Sequence, residues 1–268
     1  MVLSSGFRVF LRVCTAVALL FIYAPLMLVV INSFNASQTF AWPPSRLTLE
    51  WWRRAFDSQG ARDAVVTSIE VACLATVLAL VLGTMAAMAL QRYRFFGRDA
   101  VSLLIILPIA LPGIVTGIAL NNAFRTMFGL ELGFLTIVVA HATFCIVTVF
   151  NNVVARLRRV GVGLEEASSD LGASIFQTFW LVTFPMMRSA LIAGGLLAFA
   201  LSFDEIIVTT FTAGPKEQTL PLWIFNNLFR PNQGPVVNVI AVVLILLSIV
   251  PIWVSQKLAG TSEGLAGR

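Results

Sequence analysis

Acids in unusual places are the residues of this chain with chemistry to offer. The stretch Leu164 to Pro185 reads LEEASSDLGASIFQTFWLVTFP and lies between two long apolar segments. Glu165, Glu166 and Asp170 put three carboxylates within six residues, too polar a run for hydrocarbon. Glu166 and Asp170 are four apart, so on a helix they share one face. Gly172 offers a helix stop, because glycine enters the left-handed cap conformation without a steric penalty. Pro185 is expected where the chain bends to re-enter the bilayer. The pattern predicts a short acidic helix on a membrane surface, held between two spans and suited to docking on something soluble.

A second pair of acids, Asp204 and Glu205, sits inside an apolar run. Each costs a few kcal/mol there, about 2.5–3.5 for aspartate, so the pair must face a cavity, be protonated or be neutralised by a cation. Adjacent helical residues point about 100° apart, so the two cannot face one spot equally. Asp204, about 21 Å up a helix counted from Ala190, is the expected cavity acid, with Glu205 at a subunit interface. A structural pair bonded to a neighbouring subunit is the plainer reading. The third apolar segment opens with Pro108 and Pro112 and ends at Asn121 and Asn122. Prolines free backbone carbonyls that neighbours or a wet cavity must satisfy, so this helix is predicted to line the interior of the bundle. His141, the single histidine, reads as a hydrogen-bonded packing residue.

What is missing narrows the class. The chain has no GxxxxGK[ST] phosphate loop and no HExxH. Cys14, Cys73 and Cys145 fall in apolar windows without a CxxC, which argues against a disulfide framework or a metal site. The expectation is a protein that is not an enzyme, with no catalytic residues, metal or cofactor of its own. Any driven transport would draw on a partner or an ion gradient.

The 268 residues are 58% apolar and 12% charged, with mean hydropathy +0.90. Soluble domains are about 45–50% apolar and 25% charged, so the chain reads as an all-α integral membrane protein. Six windows approach the roughly 20 apolar residues needed to cross a bilayer, at about 9–31, 65–90, 100–124, 134–155, 187–212 and 237–256. They leave one transmembrane domain, 1–268, and no room for a separate soluble one. With the N-terminus inside, eleven of the 18 Lys and Arg fall on inner segments, Arg92, Arg156, Lys257 and Arg268 among them, which places both termini in the cytoplasm. The outer segment SRLTLEWWRRAF, with Trp51, Trp52 and Phe56, reads as an interfacial helix with an aromatic anchor, and a partner-docking surface is the sharper alternative.

The acidic stretch resembles the EAA signature of ABC importer permeases. Glu166 and Ala167 match its start, Ser168 stands for the second alanine, Gly172 follows six after the Glu and Pro185 nineteen after. With YAPLMLVVINSFN, HATFC, LSFDEIIVTTF and TLPLWIF, the resemblance covers nearly the whole chain and is to spermidine/putrescine-type permeases, specifically their C-type subunit. It implies a type I importer (MetI-like) fold with six spans. It also implies a coupling helix at about 163–172, including Glu165, Glu166, Ala167, Asp170 and Gly172, that docks on an ATPase subunit. The implied partners are a second permease subunit, two ATP-binding cassette subunits that bind the ATP, and a periplasmic solute-binding protein, in a bacterial inner membrane. Nucleic acid is not among them.

One departure bears on the solute. Polyamine permeases carry an acid just after the proline of the third span, where this chain has Gly113. The leading expectation is import of putrescine- or spermidine-like cationic amines, with a pathway that includes Asp204, Glu205, Asn121 and Asn122. 4-Aminobutyrate or another amino compound is the alternative. An ion-coupled carrier and a membrane scaffold are rival classes.

Overall fold

A computed structural model describes residues 5–38, 42–230 and 232–265. Among the described residues the regular elements are all helical, and the one strand-like feature is an isolated bridge between Asn35 and Leu47. Four helical rods are long and apolar enough to cross a membrane: Gly6–Phe34, Gln59–Arg92, Phe134–Val160 and Ile175–Phe203. Each holds an apolar stretch close to the length required, since a rise of about 1.5 Å per residue needs some 20 residues to span the hydrocarbon.

Two expected spans differ in shape. The segment expected at 100–124 is two helices, α4 (Arg98–Ala110) and α5 (Gly113–Asn122), and a π-helical turn extends α5 to Met127. The two arms meet at 107°. At the bend Leu111 precedes Pro112 and adopts ψ 146°, the extended conformation that a proline ring favours in the residue before it. The segment expected at 187–212 begins at Ile175 and ends at Phe203. Pro185 therefore does not mark a bend. It lies inside a continuous rod, just after a π-helical turn at Phe179–Thr183, the kind of loosened ladder in which a residue without an N–H is accommodated. The segment expected at 237–256 falls within α12 (Gly234–Leu265), whose apolar part is Gly234–Val250. Arg268, counted among the inner basic residues, lies outside the described residues.

The chain forms two compact units. The first, residues 1–62 and 224–246, contains α1 (Ser5–Phe34) and α2 (Glu50–Asp57). Trp51, expected in the aromatic anchor, is buried and donates its indole N–H to the Asn35 carbonyl at 2.9 Å. Trp52 stacks on Phe34 at 5.3 Å between centroids. These contacts fasten α2 to the end of α1, and of Trp51, Trp52 and Phe56 only Phe56 is exposed.

The second unit, residues 63–223 and 247–268, holds the polar residues of interest. Its central element is α6 (Phe134–Val160), buried on most of its circumference. Small residues on α3 (Gln59–Arg92), namely Ala72, Ala75, Ala79, Gly83 and Ala87, are buried at helical spacing, the stripe that lets membrane helices approach closely. A Cβ on Gly83 would stand 2.9 Å from the Ile146 carbonyl of α6. On another side α6 packs against α9 (Phe184–Phe203), the upper part of the Ile175–Phe203 rod.

Candidate functional site

The acidic stretch folds as a helical hairpin. Helix α7 spans Gly163–Asp170 and stops at Gly172, whose φ is +80°. The Ala173 N–H reaches the Ser168 carbonyl at 3.1 Å and the Gly172 N–H reaches Ser169 at 2.9 Å, the paired closure of a Schellman cap. Ser174 then starts α8 (Ile175–Thr178) with a capping box: its Oγ accepts the Gln177 N–H, and Gln177 Oε1 accepts the Ser174 N–H. A 3.0 Å hydroxyl contact between Ser168 and Thr178 ties the two arms.

The three carboxylates of α7 have separate fates. Glu165 is 5% exposed and turned inward. It forms an ion pair with Arg92, the last residue of α3, and accepts a hydrogen bond from Thr183 Oγ1 at 2.5 Å. Because Thr183 closes the π-helical turn of the long rod, one carboxylate joins α7 to two membrane helices. Glu166, Ala167 and Asp170 are exposed. Beside them lie the exposed apolar side chains of Leu171, Ile175 and Phe176. A cavity of about 510 Å³ opens here, lined by Arg92, Glu165, Glu166, Ser169, Asp170 and Thr178 among others. Sequence reasoning named all three acids but missed Arg92 and Thr183 as partners. Arg92 was legible only as a topology charge, and nothing in its spacing announced the contact.

The other acids stand at a helix break. The rod ends at Phe203, and a short helix α10 (Ile207–Thr212) follows after Asp204–Ile206. Glu205 is half-buried, and its carboxylate accepts the Val208 N–H at 2.7 Å, satisfying a donor that the start of α10 would leave open. Asp204 is exposed, so the two neighbours differ in environment as well as direction. Asn121 is half-buried and gives its amide to the Phe211 carbonyl of α10 at 2.5 Å. It holds α5 against α10, whereas Asn122 is exposed. Two glycines lie along the same seam, and its packing requires the second of them, Gly117. A Cβ on Gly117 would stand 2.7 Å from the Phe211 ring, and one on Gly113 would touch Ile207 at 3.4 Å. His141 is fully buried on α6, with both ring nitrogens bonded to hydroxyls, Ser202 and Thr209.

Several known proteins are similar to this chain. It is 34% identical over 232 residues to the putrescine transport system permease protein PotI of Escherichia coli (strain K12), a match covering 84% of this chain and 82% of that one. It is also 34% identical over 239 residues to the spermidine/putrescine transport system permease protein PotC of the same organism, 89% of each chain. The fold resembles a chain of a bacterial ABC transporter involved in the import of the acidic polysaccharide alginate, with TM-score 0.76 and 18% identity over 96% of this chain and 99% of that one. At that identity the likeness speaks to the fold alone. Residues 79–259 match the family described as binding-protein-dependent transport system inner membrane component. Since that match spans more than half of the sequence and agrees with both relatives, the chain belongs to the family of binding-protein-dependent transport system inner membrane components, the permease subunits of ABC importers.

Proposed function

We propose that this chain passes small cationic amines, putrescine- or spermidine-like, from a periplasmic binding protein to the cytoplasm. It works as a heterodimer with a second permease and with two ATP-binding cassette subunits, which bind the ATP; the chain itself needs no cofactor. The bent pair α4–α5 and the helix α12 supply the spans beyond the four continuous rods, six in all within one permease domain, and both termini are cytoplasmic. Helix α7 is the docking element, with Glu166, Ala167 and Asp170 presented to the ATPase and Glu165 fastening it to the bundle. Asp204 is the solute acid.

The observation that carries this reading is the division of labour within α7. One carboxylate is tied to two membrane helices, and two others on the same short helix face outward. Such a helix can be gripped from outside and still move the bundle. The names of the 34% identical relatives support the amine. Gly113 supports a second reading: a glycine adds no negative charge at this position, which suits a singly charged or zwitterionic amine such as 4-aminobutyrate.

The test is uptake by the complex reconstituted with the ATPase subunits and the binding protein. Putrescine uptake should vanish when the ATPase carries a dead catalytic glutamate. Uptake persisting in that background would identify an ion-coupled carrier. Binding of an amine panel to the cognate binding protein would separate putrescine from 4-aminobutyrate.

A further inference from the structure

His141 is the single histidine of the chain, and neither docking nor solute contact as described above uses it. Its two bonds straddle the break that carries the acids. Nδ1 lies 2.8 Å from Ser202 Oγ in the last turn of α9. Nε2 lies 2.8 Å from Thr209 Oγ1 in α10. Thr209 Oγ1 also stands 3.0 Å from the Glu205 carbonyl, and a hydroxyl has one proton to give. With that proton spent on Glu205, Thr209 accepts from the ring, so Nε2 carries hydrogen and Nδ1 accepts from Ser202. A neutral Nε2–H imidazole thus matches both hydroxyls. An imidazolium would bury a charge among apolar side chains.

The same helix holds α10 at its far end. Thr136, also on α6 and buried, holds its Oγ1 2.7 Å from the Thr212 carbonyl and 2.8 Å from the Gly133 carbonyl, sharing one proton between them. Helix α10 is therefore pinned to α6 by Thr136 and His141, and α5 rides on α10 through Gly117 and Asn121. His141 is the only one of these ties that reaches both sides of the break.

We infer that His141 is a positioning residue for solute recognition: as a neutral Nε2–H imidazole it clamps the two sides of the α9–α10 break and so fixes where Asp204 presents its carboxylate. This rests on Asp204 being the solute acid. It gives the histidine a task that ordinary packing would not require, namely fixing one short unwound segment from a helix that packs against both of its flanks.

The experiment labels this chain alone with ¹⁵N-histidine in the assembled transporter, where one histidine gives one imidazole spectrum. The expected spectrum shows a protonated Nε2 and an unprotonated Nδ1, displaced on adding putrescine to the wild type and unmoved by putrescine in the Asp204→Asn complex. A doubly protonated ring, the opposite tautomer, or an identical response in Asp204→Asn would overturn the proposal. In parallel, Ser202→Ala and Thr209→Val, which each remove one end of the clamp, should lower putrescine imported per ATP hydrolysed by about tenfold, the scale of one well-made hydrogen bond. Assembled variants importing at the wild-type ratio would also overturn it. A wild-type complex that hydrolyses ATP but imports no amine would instead count against the proposed function, and the two failures are thereby distinct.

Discussion

Glu165 of α7 and Arg92 of α3 are joined in an ion pair across 73 residues of sequence. The pair turns a surface helix into part of the bundle. Glu165 is nearly buried and Arg92 keeps 22% of its side chain in solvent, so neither is a freely solvated charge. Removing one partner of a buried pair leaves the other uncompensated, which costs about 3–5 kcal/mol, and the residual exposure of Arg92 places this pair toward the lower end.

Glu165→Gln and Arg92→Gln should therefore each loosen α7. We expect faster proteolysis between residues 160 and 175 and a lower melting temperature of the purified complex in detergent. The double exchange Arg92→Glu with Glu165→Arg should recover part of both. Equal protease resistance of wild type and single variants would show that the pair does not hold the helix.

Glu166 should behave in the opposite way. It is exposed and, among the described residues, without an ion pair, and surface substitutions of this kind change stability little. Glu166→Lys should leave melting and membrane insertion unchanged while reducing co-purification of the ATPase subunit. Retained ATPase binding and transport would remove Glu166 from the docking face.

Much of this arrangement was legible in the residues, and the part that was not has a physical cause. The acidic helix and its stop at Gly172 follow from local rules, because charge spacing and the left-handed cap depend only on near neighbours. Helix breaks were harder. Pro112 was visible, but whether a proline bends a span by 107° or sits quietly in it, as Pro185 does, depends on what surrounds it. Which acid turns inward was not legible at all. Glu165 and Glu166 are adjacent and chemically alike, and only the position of Arg92, set by packing of α3, separates them.

The α5–α10 seam yields a packing prediction. A methyl group at Gly117 would stand 2.7 Å from the Phe211 ring, closer than side chains tolerate. Gly117→Ala should destabilise by about 1–3 kcal/mol, the range for overpacking a tight core, read as a drop in melting temperature. Adding Phe211→Leu should restore part of it. A Gly117→Ala protein with unchanged melting would mean that the two helices separate at little cost.

The acids at the break should separate in function because their environments differ. Asp204 is exposed and follows the last helical residue of the rod, while Glu205 is half-buried and accepts the Val208 N–H at 2.7 Å. Asp204→Asn changes charge with almost no change of shape. It should cut uptake of a cationic amine by about tenfold or more, the weight of roughly 1.4 kcal/mol, and spare a neutral analogue. Glu205→Ala removes an acceptor from the start of α10, a loss of about 0.5–2 kcal/mol for a cap. It should lower melting temperature and reduce uptake of charged and neutral solutes alike. Paired uptake assays with both solutes, run beside melting curves, distinguish the two. An Asp204→Asn transporter that loses both solutes equally would make Asp204 a packing residue, and the carboxylate that meets the amine would then have to come from another subunit.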